Sequence, residues 1–256
     1  MNEPTRPDAT TQPFFSAVDS ARFGLRIGRL KLTDPAALPA ALEASRRENL
    51  RLIFVRCPTD QTKLVHGLED AGARLMDTLL YYRRRLRSED FPAELKPNRI
   101  RVFRETDQAG IEDIARQSFA NYQGHYHADP ALDRARSDEG YVEWALQCCR
   151  SRGADSEVLV AEDADGRPCG FFVVRLNNPR EGEGWLAAVA PAAEGRGLYW
   201  SLVVHALRWC RERRAAQMIV STQITNTATQ KTYGRLGFDL QASYYTFHLW
   251  LPKPSA

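Results

Sequence analysis

Apolar and polar positions repeat along this chain with two periods, and the changes of period divide it into short strands and helices. RFGLRIGRLKL alternates with period two and predicts a strand, after which Thr33-Asp34-Pro35 reads as a turn and helix start. AALPAALEASRREN then reads as a helix, RLIFVRC as a buried strand, TKLVHGLEDAG as a helix ending on Gly72, and ARLMDTLLYYRRRL as a long strand. The stretch 88–98, SEDFPAELKPN, carries charge and two prolines and reads as a linker.

Beyond it, IRVFRE reads as a strand and Thr106-Asp107 as a helix start, with Ile111, Ile114, Ala115 and Phe119 at helical spacing. NYQGHYHADPALDRARSDEG is expected to be a long irregular connection leading to the helix YVEWALQCCRS. SEVLVAED and PCGFFVVRLN are strands joined by a hairpin turn at Asp163-Ala-Asp-Gly166. The remaining elements are the strand GEGWLAAVAP, the amphipathic helix LYWSLVVHALRWCRERR, the strand AQMIVSTQ, the short helix NTATQKTYGRLG and the strand FDLQASYYTFHLWL. The fold class is therefore α/β with a mixed sheet, in two domains, 1–95 and 99–252, the second ordered β-α-α-β-β-β-α-β-α-β.

A constant offset of 165 lays one half on the other without a gap: Leu42 falls on Leu207, Val55 on Val220, Gly72 on Gly237, Leu75 on Leu240 and Tyr82 on Phe247. The two halves are expected to share a scaffold. Any two αβαβ units can also be registered on their glycines, which is the competing account. At the positions of Asn226 and Tyr233 the first half has Gln61 and Leu68, and no glycine-rich loop precedes its first helix.

A net charge of +3 from 35 basic and 32 acidic residues is too small a field to imply nucleic-acid or membrane partners. The five cysteines show no paired CxxC spacing, so neither a disulfide framework nor a metal site is expected, and a reducing cytoplasm fits best. The polar N-terminus MNEPTRPDATTQP carries no apolar core of signal-peptide length.

Candidate chemistry gathers near the C-terminus. Val189-Ala-Pro-Ala-Ala-Glu194-Gly195-Arg196-Gly197-Leu198-Tyr199 joins a strand to a helix, where unpartnered backbone N–H groups and the helix dipole favour an anion such as a pyrophosphate. Glycine at such a turn is also used for conformation alone. Strand, V-x-P turn, glycine-rich loop, long helix, strand, then an asparagine with a tyrosine seven residues on and Leu-Gly-Phe resembles the acyl-CoA-binding core of the GNAT N-acyltransferase superfamily. Phe14-Phe15, the N-terminal αβ unit, FANYQGHYHADPALD and TQITNTATQKTYGRLG are similar to the TDP-fucosamine acetyltransferases within it.

That resemblance implies a partial GNAT-like N-terminal domain, a complete C-terminal one, acetyl-CoA as co-substrate, and the amine of a nucleotide-linked amino-dideoxysugar as acceptor. A homodimer is one candidate assembly, and the sequence leaves the oligomeric state open. Tyr233 is the implied acid for the departing thiolate. Ala187, Ala188 and Val189 offer backbone to the pantetheine arm, in a gap where the family's central strands splay apart. The N–H groups of Gly195 to Tyr199, Leu198 included, hold the pyrophosphate with Arg196 assisting, and Asn226 contacts the pantetheine arm or simply caps its helix.

Two positions depart from the superfamily loop. Glu194 puts a carboxylate where glutamine or arginine is usual, and Tyr199 replaces glycine or alanine, where a large side chain is expected to limit close approach. Tyr122, His125, Tyr126 and His127 are candidate acceptor contacts in a long connection. Either histidine has the chemistry to take the amine proton, although exposed loop histidines are commonly just solvated. Histidine-x-histidine without a third ligand does not make a metal site. The alternatives left open are a GNAT acting on another small amine, and a non-catalytic acyl-CoA-binding or scaffold protein.

Overall fold

Residues 13–86, 91–93, 98–120 and 122–252 are described by a computed structural model; residues 1–12, 87–90 and 94–97 at the linker, Asn121 and 253–256 lie outside the described residues. After β1, Phe14–Phe15, the Ser16 hydroxyl accepts the Asp19 N–H and Gly24 turns left-handed at φ 67°, so Ala17–Phe23 form a helix, α1. The alternation that begins at Arg22 in the sequence becomes a strand only at Ile27–Lys31, β2. α2 is Leu38–Arg47, entered through a turn that the Asp34 carboxylate caps. β3 (Leu52–Pro58), α3 (Thr62–Asp70) and β4 (Arg74–Arg85) follow.

Next come β5 (Arg99–Val102) and α4 (Gln108–Phe119). The connection expected to be irregular holds a one-turn helix, α5 (His125–Ala128), and gives α6 (Arg134–Arg150) an earlier start than the apolar spacing shows. Asp133 is the reason: its carboxylate accepts the Arg136 N–H at 2.8 Å and nucleates a polar first turn. β6 (Ser156–Glu162), β7 (Pro168–Asn178), β8 (Glu181–Val189), α7 (Leu198–Glu212), β9 (Gln217–Gln223), α8 (Thr227–Arg235) and β10 (Asp239–Trp250) complete the chain.

The described residues pack as two units. Unit 1 comprises residues up to Leu80, Gln123–Ser137 and the chain from Ala242; unit 2 comprises Tyr81–Tyr122 and Asp138–Gln241. This differs from a division into 1–95 and 99–252, and hydrogen bonding explains why. β10 pairs antiparallel with β3 from Tyr244↔Pro58 to Trp250↔Leu52, which ties the end of the chain to unit 1. Leu86 N–H bonds to Ala216 O, which ties the end of β4 to unit 2.

Unit 1 has the strand order β1-β2-β3-β10, with β2 and β3 parallel. One face, bearing Leu30, Ile53, Val55, Phe247 and Leu249, forms a core with Leu38, Ala41, Leu64 and Leu68 of α2 and α3. The opposite face carries Arg29, Lys31, Phe54, Arg56, Thr246 and His248 by the same alternation. In unit 2 the order is β4-β9-β8-β7-β6-β5. α7 and α8 cover one face around Leu202, Leu207 and Tyr233, and α4 and α6 cover the other around Ile111, Val142 and Phe171.

The offset of 165 holds for whole elements: it carries β3 Leu52–Pro58 onto β9 Gln217–Gln223, α3 Thr62–Asp70 onto α8 Thr227–Arg235, and β4 Arg74–Arg85 onto β10 Asp239–Trp250. Gly72 and Gly237 both turn left-handed, at φ 84° and 74°. The repeats exchange their last strands, since β10 lies beside β3 and β4 beside β9.

Candidate active site

The gap begins at Gly184. β8 and β9 pair in parallel from Glu181↔Gln217 to Gly184↔Val220 and then stop, although β8 continues to Val189 and β9 to Gln223. Two features of β8 open the sheet there. The register against β7 shifts between Val173↔Leu186 and Val174↔Gly184, leaving Trp185 as a bulge that bends the strand. A Cβ at Gly184 would meet Phe172 Cζ at 2.5 Å and Val220 Cγ1 at 3.0 Å, so only glycine fits where the strands last touch. Ala187, Ala188 and Val189 stay paired to β7 through Phe172, Phe171 and Gly170, and their other edge has no partner from β9.

Unit 1 supplies the internal contrast. β2 pairs with β3 over its whole length, Ile27↔Leu52 to Lys31↔Arg56, and Leu32 N–H extends the ladder to Arg56 O at 3.0 Å. Its strands leave no gap.

The loop after β8 begins with a turn at Pro191–Ala193 and reaches α7 through Gly195 and Gly197, both left-handed at φ 73° and 79°. Left-handed glycine at the helix cap aims successive N–H groups outward, and the first turn of α7, with Leu198 and Tyr199, adds donors that have no partner within the helix. Glu194 is exposed on this loop. Arg196 is also exposed, and its guanidinium bonds back to Ala192 O at 2.9 Å, so in this structure it braces the turn.

Tyr199 does not stand over the loop. Its ring joins the buried cluster under α7 and its hydroxyl lies 2.7 Å from the Tyr233 hydroxyl. The expectation that a large side chain here blocks approach to the backbone is therefore corrected: a tyrosine in the first turn reaches inward to α8. Tyr233 itself is 3% exposed and packs in the cluster that also takes up Ala187 and Val189 of the unpaired β8 edge. Burial pushes its phenol pKa well above the ordinary value, and the neighbouring Tyr199 adds to this. Burial likewise pushes Tyr199 up to about 12. Both phenols thus hold their protons throughout the neutral range, and a pair sharing one hydrogen bond keeps one O–H to donate.

Asn226 caps α8, its side-chain oxygen accepting the Thr229 N–H at 3.1 Å. At the matching place in the repeat, Gln61 makes no cap bond, and Leu68, fully buried, fills the position of Tyr233. Tyr82, which sequence reading did not single out, packs on the Tyr233 ring at a centroid distance of 5.5 Å. The signal was present: Tyr82 matches Phe247, which shares the core of Leu68, and the exchange of strands sends the two aromatics to different tyrosine and leucine partners.

The candidate acceptor contacts divide between the units. Tyr122, in unit 2, is half-buried against Phe119 and Tyr141 and is near enough to Tyr233 to raise its pKa. His125, Tyr126 and His127 belong to unit 1. Tyr126 is buried, donating to Asp19 at 2.9 Å and accepting from Arg29 at 2.6 Å. His125 is 6% exposed and sits 2.8 Å from His248, which bonds Asp129 at 2.7 Å. The reading of His125 as a solvated loop histidine fails because the one-turn helix folds it inward; His127 is half-exposed.

Residues 112–238 match the model of the acetyltransferase (GNAT) family. The chain is 28% identical over 147 residues to the spore coat polysaccharide biosynthesis protein SpsD of Bacillus subtilis (strain 168), covering 57% of this chain and 49% of that protein. It is 35% identical over 88 residues to the mycothiol acetyltransferase of Mycobacterium sp. (strain JLS), covering 33% of this chain and 29% of that one. The chain thus spans about half or less of these relatives. A solved structure described as a tandem GNAT protein from the clavulanic acid biosynthesis pathway superposes with TM-score 0.59 at 13% identity, over 86% of this chain and 70% of that one. Among the described residues no helix is long and apolar enough to cross a membrane. The splayed parallel pair and the left-handed glycine loop lie in or beside the stretch that matches the family model: residues 112–238 are similar to the GNAT acetyltransferases, a family that draws its acetyl group from acetyl-CoA.

Proposed function

We propose that this protein is an N-acetyltransferase that moves the acetyl group of acetyl-CoA to the primary amine of a small molecule, an amino-dideoxysugar carried on a nucleotide being the preferred acceptor. The observation that carries the transferase reading is the unpaired edge of β8 from Trp185 to Val189, lying between the α7 loop and the Tyr233 phenol. On this reading the pantetheine arm pairs with that edge in place of β9. The N–H groups from Gly195 to Tyr199 hold the diphosphate, with Arg196 assisting once it leaves Ala192. Asn226, whose oxygen is used by the helix cap, keeps its amide N–H groups for the arm.

Transfer then needs little covalent work from the protein. The amine attacks the thioester carbon, a β8 N–H stabilises the developing oxyanion, and Tyr233 donates its proton to the sulfur as the C–S bond breaks; the proton shed by the acetylated nitrogen passes to water, and the phenolate takes one back from water to restore Tyr233. Its raised pKa makes Tyr233 a weaker acid than a free phenol, so the proton moves only as charge grows on sulfur, whose conjugate acid has a pKa of roughly 8.5 on the cysteine scale. Tyr122 is the acceptor contact nearest this chemistry. Unit 1 keeps the scaffold of the repeat without its chemistry, because β2 and β3 are fully paired and Leu68 replaces the phenol.

The name of SpsD supports an acceptor from polysaccharide precursor chemistry, and that of the mycothiol acetyltransferases supports a different small amine. Thiol release from acetyl-CoA, measured with a panel of amines, tests both. Turnover confined to amino-sugar nucleotides is the expected result, broad amine use would replace the acceptor, and no turnover with any amine would leave a binding protein instead.

A further inference from the structure

Tyr233 is 3% exposed, and among the described residues the hydrogen bond of its hydroxyl is to Tyr199. Tyr82, Tyr199 and Phe238 pack on its ring. A phenol enclosed in this way becomes a buried anion when it gives up its proton, and a buried anion is costly unless a neighbour donates to it.

Tyr199 is that neighbour, and it is itself met from α8. Thr229 and Tyr233 are four residues apart on that helix, so their side chains share one face. The Tyr199 phenol, coming from the first turn of α7, takes a hydrogen bond from the Thr229 hydroxyl and lies 2.7 Å from the Tyr233 hydroxyl. Three hydroxyls thus stand in a row, from Thr229, half-buried in the first turn of α8, through Tyr199 to the buried Tyr233.

The repeat shows that packing does not demand this row. Under the offset of 165, Thr229 falls on Leu64 and Tyr233 on Leu68, both fully buried in the core of unit 1. Leucine at both places satisfies the same helix, so the two hydroxyls of α8 answer to something other than the fold.

The direction in which charge moves along the row follows from its partners. Burial raises both phenols, Tyr199 to about 12. The hydrogen bond they share lowers Tyr199 and raises Tyr233, and the Thr229 hydroxyl lowers Tyr199 further. Negative charge is therefore better held on Tyr199, which has two hydroxyls to donate to it, than on Tyr233, which has one among the described residues.

We propose that the acid is the pair and not Tyr233 alone, Tyr199 passing its proton to the Tyr233 oxygen as Tyr233 passes its own to the sulfur; this rests on the transferase reading. The C–S bonding electrons leave on sulfur and take up the Tyr233 proton, and the Tyr199 O–H bond breaks as the Tyr233 O–H bond re-forms. The negative charge ends on Tyr199, where the hydroxyls of Thr229 and of the restored Tyr233 donate to it. Water then returns a proton to Tyr199. Thr229 touches no reacting atom and is a positioning residue that acts through Tyr199.

Single-turnover thiol release tests the relay, with acetyl-CoA and a thymidine-diphosphate-linked amino-dideoxysugar, or the amine of the panel that is used fastest. Rates are taken in mixtures of H₂O and D₂O at about pH 7.5, where both phenols hold their protons. With two phenol protons in flight, the wild-type rate should be a curved function of deuterium content. Tyr199→Phe keeps the ring, and it should be about tenfold slower and lose one proton from that dependence. Thr229→Val should slow the turnover on the order of tenfold while keeping the melting temperature, the acetyl-CoA affinity and the acceptor KM, and Thr229→Ser should restore the rate. A Tyr199 that only orients Tyr233 would slow the variant and leave the isotope dependence unchanged. That result, a wild-type rate in Tyr199→Phe or Thr229→Val, or a Thr229→Ser variant as slow as Thr229→Val would overturn the relay and leave the transferase standing. Absence of turnover by the wild-type chain with every amine would overturn the transferase reading and the relay with it.

Discussion

The hydroxyls of Tyr199 and Tyr233 lie 2.7 Å apart, one from the first turn of α7 and the other from the last turns of α8. The same contact accounts for a bulky residue in a glycine-rich loop and gives the candidate acid a fixed partner. A phenol whose orientation is set by another phenol pays less entropy when it donates its proton.

Replacing Tyr233 by phenylalanine removes the proton donor and keeps the ring that packs on Tyr82. We expect kcat to fall by about 10²- to 10⁴-fold, the usual range for a positioned acid, with acetyl-CoA affinity little changed. Steady-state kinetics beside a direct binding measurement checks the split; equal losses in both would make Tyr233 a binding residue.

Tyr199→Phe and Tyr199→Gly separate orientation from packing. The phenylalanine variant should lose about tenfold in kcat and little stability. The glycine variant should also lose about 3–5 kcal/mol of unfolding free energy, since it empties a site in the core under α7. If Tyr199→Gly instead tightened acetyl-CoA binding without a stability loss, the ring would be an obstruction after all. Because both phenols are held up by burial, neither should produce an alkaline loss of rate between about pH 8 and pH 10.

Gly184→Ala tests the origin of the gap. The added methyl meets Phe172 and Val220, and such overpacking costs about 1–3 kcal/mol. A urea midpoint equal to wild type would mean that the strands part for another reason.

Asn226→Ala should destabilise α8 by about 1 kcal/mol through the lost cap. Asn226→Asp keeps an acceptor for Thr229 and removes the amide N–H groups, so it should hold stability while weakening acetyl-CoA binding. Unchanged affinity in Asn226→Asp would reduce Asn226 to its capping role.

The buried histidines of unit 1 set a pH window. His125 and His248 are both held below the ordinary histidine value, by burial first in each case, so both are neutral when folded while an unfolded histidine takes a proton near pH 6.5. The unfolded chain then binds more protons, and stability falls as pH drops below about 6.5. Asp129, held below its usual range by its hydrogen bonds to His248 and others despite burial, adds a loss only at lower pH, below about 3.9. Urea midpoints taken at about pH 7.5 and about pH 5.5 should decrease; a constant midpoint would show that the histidines take up protons in the folded unit.

The sequence by itself determined the elements and much of the site. Period-two and period-3.6 patterning places β3, α3, β9 and α8, because their apolar residues face one core each, and the offset between Gly72 and Gly237 reveals the repeat down to the element ends. Glycine at Gly195 and Gly197, and the spacing of Asn226 and Tyr233, mark the loop and the helix because left-handed turns and caps are local demands on residue type.

What the tertiary structure decided is pairing between distant strands and the direction of side chains. No local pattern shows that β10 bonds β3 while β4 joins β9, since equivalent strands of a repeat have equivalent faces and either choice buries them. α1 was hidden because Arg22 to Arg26 alternates as well as a strand does, and α6 because its first turn is polar and held by Asp133. Tyr199 turned inward to Tyr233, and His125 into a chain with His248 and Asp129, through hydrogen bonds between residues 34, 123 and 119 positions apart, which only the folded chain brings within reach.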